Sequence, residues 1–144
     1  MRNMSFSATT EQILRQTKFE TRRLGWADLK PGEVFCAIEK GQGLKKGQKV
    51  RRLMVLICRS NRQQVLNRIT STAVVREGFH DLTTKEFVAQ FCRLNKCASD
   101  RKINVIEFEY VSRICRKCGC WEWHPCPGGC YRVEPDLCSA CAEV

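Results

Sequence analysis

Two CxxC pairs, Cys115/Cys118 and Cys138/Cys141, stand near the end of the sequence with nineteen residues between them, and no other feature restricts the fold as tightly. A two-residue gap lets one tight turn aim both sulfurs at a single point. Two such turns supply four thiolates, the set that tetrahedral zinc prefers. Gly119 and the Gly128-Gly129 pair suit the positive φ such knuckles need. Three further cysteines, Cys120, Cys126 and Cys130, lie inside the loop with His124, so the stretch carries more donors than one tetrahedral site uses. One zinc ion on Cys115, Cys118, Cys138 and Cys141 is the first expectation; two ions drawing on Cys120, Cys126 and Cys130 is the alternative. Disulfides and iron–sulfur ligation compete with both. The odd total of eleven cysteines and the lack of a secretory-type apolar stretch argue against disulfides, whereas thiolates alone do not separate zinc from an iron–sulfur cluster. So cysteine-rich a set leaves no evident open position for water, so the metal reads as structural. A segment of about thirty residues cannot bury its own core and should fold as it binds.

The formal charge of +10 becomes informative once it is divided along the chain. From Ser112 onward four basic residues face four acidic ones, so the whole excess belongs to residues 1–111. That basicity points to a polyanionic partner, with nucleic acid the default. With 43% hydrophobic residues the chain can bury a core, yet no apolar run approaches the ~20 residues of a membrane span. The expectation is a soluble, cytoplasmic protein without membrane contact, divided into a body over 1–111 and a metal-bound tail over 112–144.

Along the body, Met4 to Ser7 alternates like the start of a strand, and Thr9 with Gln12 offers a cap for a short helix carrying Ile13 and Leu14. Gln16 to Arg23 reads as a strand with Phe19, Thr21 and Arg23 on one side and Glu20 and Arg22 on the other. Leu29-Lys30-Pro31-Gly32 is a turn, Glu33 to Glu39 a strand, and Gly41 to Gly47 a glycine-rich basic loop without the order of a phosphate-binding P-loop. The apolar run Leu53 to Cys58 suits a buried strand. Residues 64–77 form a poor helix because Thr70, Thr72, Val74 and Val75 are β-branched. Thr83 and Glu86 form a capping box, and Phe87, Val88, Phe91 and Leu94 form an apolar stripe at helical spacing, which reads as core. Ile103 to Val111 is a strand with one buried and one acidic face. These elements predict an α+β fold: a small mixed β-barrel or curled sheet with two or three short helices and a zinc-stapled C-terminal segment.

Four features taken in order resemble the ASCH family, a group of small barrels with the PUA-like fold. They are the T-K-x-x-T-x-R segment at Thr17 to Arg23, the L-K-P-G turn, the E-G-F triplet at Glu77 to Phe79 ahead of a capped helix, and the closing V-I-E-F-E-Y strand. The tail pattern CxxCGC…CPGGC…EPDLCSAC is similar to small phage and bacterial proteins, which places the protein in a bacterial or phage-infected cell. The family's signature segment opens on glycine where this chain has Gln16, and its lysine, threonine and arginine correspond to Lys18, Thr21 and Arg23.

The resemblance implies two functions. Some relatives are amidohydrolases that remove an acyl group from a modified cytidine with a lysine, a threonine and a glutamate, to which Lys18, Thr21 and Glu77 correspond; Arg23 would stabilise the oxyanion. Others bind RNA or modified bases, and at least one is a ribonuclease. Binding is the leading expectation: a basic cleft with Arg22, Arg23, Lys45, Lys46, Arg51 and Arg52 on phosphates and Trp26 against a base, RNA being favoured over DNA. A third reading has the tail docking a protein through Trp121 and Trp123. Lys18 lies at an odd offset from Thr21, so the two share a site only if Lys18 sits in a turn ahead of the strand.

Overall fold

A computed structural model describes residues 1–142. The chain divides into two compact units, each assembled from separated segments: the first from residues 1–14, 34–57 and 110–144, the second from 15–33 and 58–109. The cysteine-rich tail therefore belongs to the same unit as the amino-terminal residues and the segment 34–57.

In the first unit, strand β1 (Arg2–Ser5) pairs in parallel with β3 (Val34–Ile38), which pairs antiparallel with the opening half of β4 (Arg52–Val65). A register irregularity at Ala37/Ile38 marks the end of β3. After β1, a 3-10 turn over Ser7–Thr9 leads into α1 (Thr10–Leu14). Thr9, expected as the helix cap, lies inside that 3-10 turn, and the Thr10 hydroxyl donates back to the Phe6 carbonyl at 3.0 Å. Cys36, Ile38, Val55, Ile114 and Trp121 form one buried apolar cluster, and tail residues Ile114 and Trp121 thereby complete a core begun by β3 and β4. The tail adds the short ribbon β6 (Arg132–Glu134) with β7 (Leu137–Cys138) and the turn-length helix α4 (Ser139–Ala142).

In the second unit the strand order is β4-β5-β2, with β2 spanning Glu20–Arg23 and β5 Lys102–Arg113. β2 runs antiparallel to β5, Thr21 facing Ile106 and Arg23 facing Asn104. The Leu53 to Cys58 run is indeed strand, but β4 continues to Val65 and takes the first two residues of the stretch expected to be helical. A 3-10 turn over Leu66–Arg68 follows, and α-helix appears at α2 (Ser71–Arg76), where Thr70 caps the Ala73 N–H. α3 (Thr84–Asn95) has both halves of the Thr83/Glu86 capping box.

Leu66, Ile69, Val74, Phe87, Phe91, Ile103 and Val105 form the core here, with Val88 and Cys92 packed alongside. Leu94 does not join the stripe and is 59% exposed. The buried row on α3 follows 87, 88, 91 and 92, and at 3.6 residues per turn Leu94 lies roughly a quarter turn from its middle. The fold is α+β with a mixed sheet and a few short helices. Among the described residues no helix is long and apolar enough to cross a membrane.

Candidate functional site

Lys18 belongs to the second unit and lies just ahead of β2. Gln16 adopts a left-handed φ of +58°, the conformation a glycine takes with least strain, and the chain turns there before entering the strand. Phe19 then locks the segment: its N–H donates to the Arg76 carbonyl at 2.7 Å and its carbonyl accepts from the Phe108 N–H at 3.2 Å. The partner arrives from α2. Glu77 ends that helix, its N–H still bonded to Ala73, and Gly78 with φ +104° redirects the chain.

Lys18 Nζ donates to Glu77 Oε1 at 2.9 Å and to the Glu77 carbonyl at 2.7 Å. Arg22 Nη1 reaches the other carboxylate oxygen, Oε2, at 2.9 Å and lies 3.4 Å from Glu20 Oε2. Arg22 Nη2 donates to Gln64 Oε1 at 3.1 Å, and Arg76 Nε lies 3.3 Å from Glu20 Oε1. Lys18, Glu20, Arg22 and Glu77 are each at most 4% exposed. Two buried cations and two buried anions thus sit together, each carboxylate gripped by a cation, with the half-exposed Arg76 adding a third positive charge at Glu20. The Arg22 Nε is buried and makes no hydrogen bond among the described residues.

Glu20 and Arg22 share one side of β2, where Lys18 from the segment ahead of the strand joins Arg22 at Glu77, and Thr21 and Arg23 take the other. Thr21 is buried, and its hydroxyl accepts from Arg23 Nε at 3.1 Å. Burial pushes the Lys18 ammonium below the ordinary lysine value of 10.5, against the pull of Glu77. Burial likewise raises the Glu20 carboxyl, which Arg22 opposes, and brings the Arg23 guanidinium down to about 10. Deprotonated Lys18 is therefore reached at lower pH than for a solvated lysine.

The expected set is thus partly gathered: Lys18 and Glu77 meet, and Thr21 with Arg23 forms an adjoining pair on the same strand. Glu20 and Gln64 were not singled out from sequence. Glu20 was legible from the side of the strand it shares with Arg22, whereas Gln64 was hidden by the helical reading of its segment.

The residues expected on a phosphate-binding surface separate. Arg22 is 4% exposed and locked to Glu77 and Glu20, so it is a buried ion-pair residue, because a carboxylate delivered from α2 meets its guanidinium inside the unit. Trp26 is half-buried at a left-handed bend, φ +72°, where its carbonyl accepts from Asn61 Nδ2 at 2.7 Å. In the first unit, Arg51 pairs with Glu39 at 3.2 Å, and the Arg52 guanidinium lies against Gly119. Lys45 and Lys46 remain exposed. Of the two tryptophans expected as anchors, Trp121 is buried in the first unit's core and only Trp123, 55% exposed, faces outward.

The tail gathers its sulfurs. Cys115, Cys118, Cys138 and Cys141 lie with their Sγ atoms within 4.8 Å of one another, as do Cys118, Cys120, Cys126 and Cys138. Both sets could hold a metal ion. The Cys115 thiol is desolvated, yet N–H groups of Cys118, Cys138 and Lys117 aimed at its sulfur outweigh that and hold it at about 5. Gly119, φ +80°, leaves room that a Cβ would take from the Arg52 guanidinium.

No family model matches the sequence, and no curated protein matches it either. Among solved structures the chain is similar to protein EF3133 from Enterococcus faecalis, described as family-model DUF984. The two share 14% identity, the match covers 78% of this chain and 77% of that one, and the TM-score is 0.54. At that identity the likeness concerns the fold alone.

Proposed function

We propose that the second unit carries the working site of an ASCH-type, PUA-like domain that hydrolyses the exocyclic amide of an acylated pyrimidine nucleoside. The observation behind this reading is the buried Lys18–Glu77 pair, at 2.9 Å and at most 3% exposed. A lysine whose charge is disfavoured by burial gives up its proton more readily than a solvated one, which suits it to act as a base. In the proposed sequence neutral Lys18 takes the Thr21 hydroxyl proton as the oxygen bonds to the acyl carbon, and Arg23 stabilises the resulting oxyanion. Collapse breaks the C–N bond, Lys18 returns its proton to the leaving amine, and water then cleaves the Thr21 ester by the same relay to release the acid. Glu77 holds Lys18 in place throughout.

Incubation with N4-acetylcytidine tests the idea. The wild-type protein should release cytidine and acetate, with Lys18→Met and Thr21→Val slower by about 100-fold or more, the usual size of a lost base or nucleophile. Equal turnover by all three folded proteins, or none by any, removes the hydrolase reading.

Nucleic-acid or nucleotide binding is the second reading. It is favoured by the +10 charge and the exposed Lys45 and Lys46 in the glycine-rich loop. RNA affinity that falls steeply with added salt supports it, and affinity indifferent to salt contradicts it. For the tail we propose a structural zinc on Cys115, Cys118, Cys138 and Cys141.

A further inference from the structure

The tail's two sulfur tetrads overlap. Cys118 and Cys138 belong to both, and Cys115 with Cys141 completes one set while Cys120 with Cys126 completes the other. A zinc–sulfur bond of about 2.3 Å sets the edge of a regular sulfur tetrahedron at about 3.8 Å. The separations fall on that edge: Cys118 to Cys138 is 3.7 Å, Cys118 to Cys126 3.7 Å and Cys126 to Cys138 3.9 Å. The first of these distances is the edge the two tetrads share. We infer that the tail holds a binuclear zinc–thiolate cluster in which Cys118 and Cys138 bridge both ions, Cys115 and Cys141 finish one coordination shell, and Cys120 and Cys126 finish the other. This rests on the proposal that the tail binds zinc and goes beyond it in number and connectivity.

Two further features fit six bound thiolates better than four. Arg132 Nη1 points at the Cys120 sulfur at 3.4 Å while its Nη2 is anchored on the Cys120 and Arg113 carbonyls at 2.8 and 2.9 Å. An arginine fixed in that way stabilises an inner sulfur as a thiolate, which a single outer site would leave as an ordinary thiol. The Arg52 guanidinium lies against Gly119, between Cys118 and Cys120 in sequence. Six thiolates and two dications carry a net charge of −2, and these guanidiniums are placed to offset it. Cys130 belongs to neither tetrad. It lies 3.7 Å from the Cys120 sulfur and accepts from the Cys126 N–H at 3.4 Å, supporting the ligands from outside.

The experiment is native mass spectrometry of the full chain reconstituted with zinc, set beside single cysteine-to-serine variants. The wild type should carry two ions. Cys115→Ser, Cys141→Ser, Cys120→Ser and Cys126→Ser should each fall to one, and Cys130→Ser should keep two. Cadmium NMR of the unsubstituted protein supplies a readout that no folding defect disturbs: two resonances coupled to each other through the shared sulfurs. One ion in the wild type, with Cys120 and Cys126 alkylated freely, overturns the binuclear cluster and leaves a single zinc. Two ions with uncoupled cadmium resonances, one lost on Cys130→Ser, overturns the bridging. No bound ion overturns this inference together with the metal reading of the tail.

Discussion

Lys18 Nζ is bonded to two atoms of one residue, the Glu77 carboxylate at 2.9 Å and the Glu77 carbonyl at 2.7 Å. Fifty-nine positions separate the partners. The ammonium is therefore held by a helix end as well as by a charge, and it keeps an acceptor even when the carboxylate is neutralised.

Removing one partner from such a pair unbalances a buried charge cluster. Lys18→Met and Glu77→Leu should each lower stability by about 3–5 kcal/mol. The double variant should cost less than the sum, because it removes both charges together. Urea denaturation of the four proteins gives the coupling, and strictly additive losses would contradict a direct pair.

The pH dependence follows from the direction of the Lys18 shift. Its folded pKa lies below 10.5 because burial disfavours the charge, so between the two values the unfolded chain holds the extra proton. Stability from this group therefore rises with pH across that window. The hydrolase reading adds that kcat/KM should climb along a limb centred below 10.5 and that Lys18→Arg should erase it. A limb at or above the solvated lysine value would separate Lys18 from the base.

At Gln16 the backbone sits at φ +58°, which costs a non-glycine residue about 1–2 kcal/mol. Gln16→Gly should raise the thermal midpoint by relieving that cost, partly offset by unfolded-state entropy, and Gln16→Val should lower it. Calorimetry of the two variants settles the point, and a lowered midpoint for the glycine protein would reject the strain.

On the proposal that the tail binds zinc, chelation should loosen it and, with it, the core that Trp121 completes. Trp121 is 8% exposed and packs with Cys36, Ile38 and Val55. Its emission should shift to the red on adding a strong chelator and recover on adding zinc. Unchanged emission would mean that this core stands without metal.

Local chemistry was the most legible part of the sequence. The Thr83/Glu86 box forms as its spacing requires, and Lys18 lies ahead of β2 rather than in it. What sequence could not reveal depended on partners far along the chain. Arg22 read as a surface cation because nothing near it foretold a carboxylate 55 positions away. Trp121 read as exposed because its neighbours, β3 and β4, lie some sixty or more positions upstream. Residues 64 and 65 were misjudged as helix because strand and helix tolerate the same mixed polar run, and the hydrogen-bonded neighbour decided between them.

The placement of Ile114 and Trp121 beside β3 and β4 sets a timetable for synthesis. When residues 1–57 have left the ribosome, Cys36, Ile38 and Val55 still lack the side chains that cover them. That apolar face stays open to chaperones and to unwanted strand pairing while some sixty more residues are translated. The second unit can reach its own core during this interval, since Leu66 to Val105 supply it. The nascent chain therefore finishes its middle before its beginning.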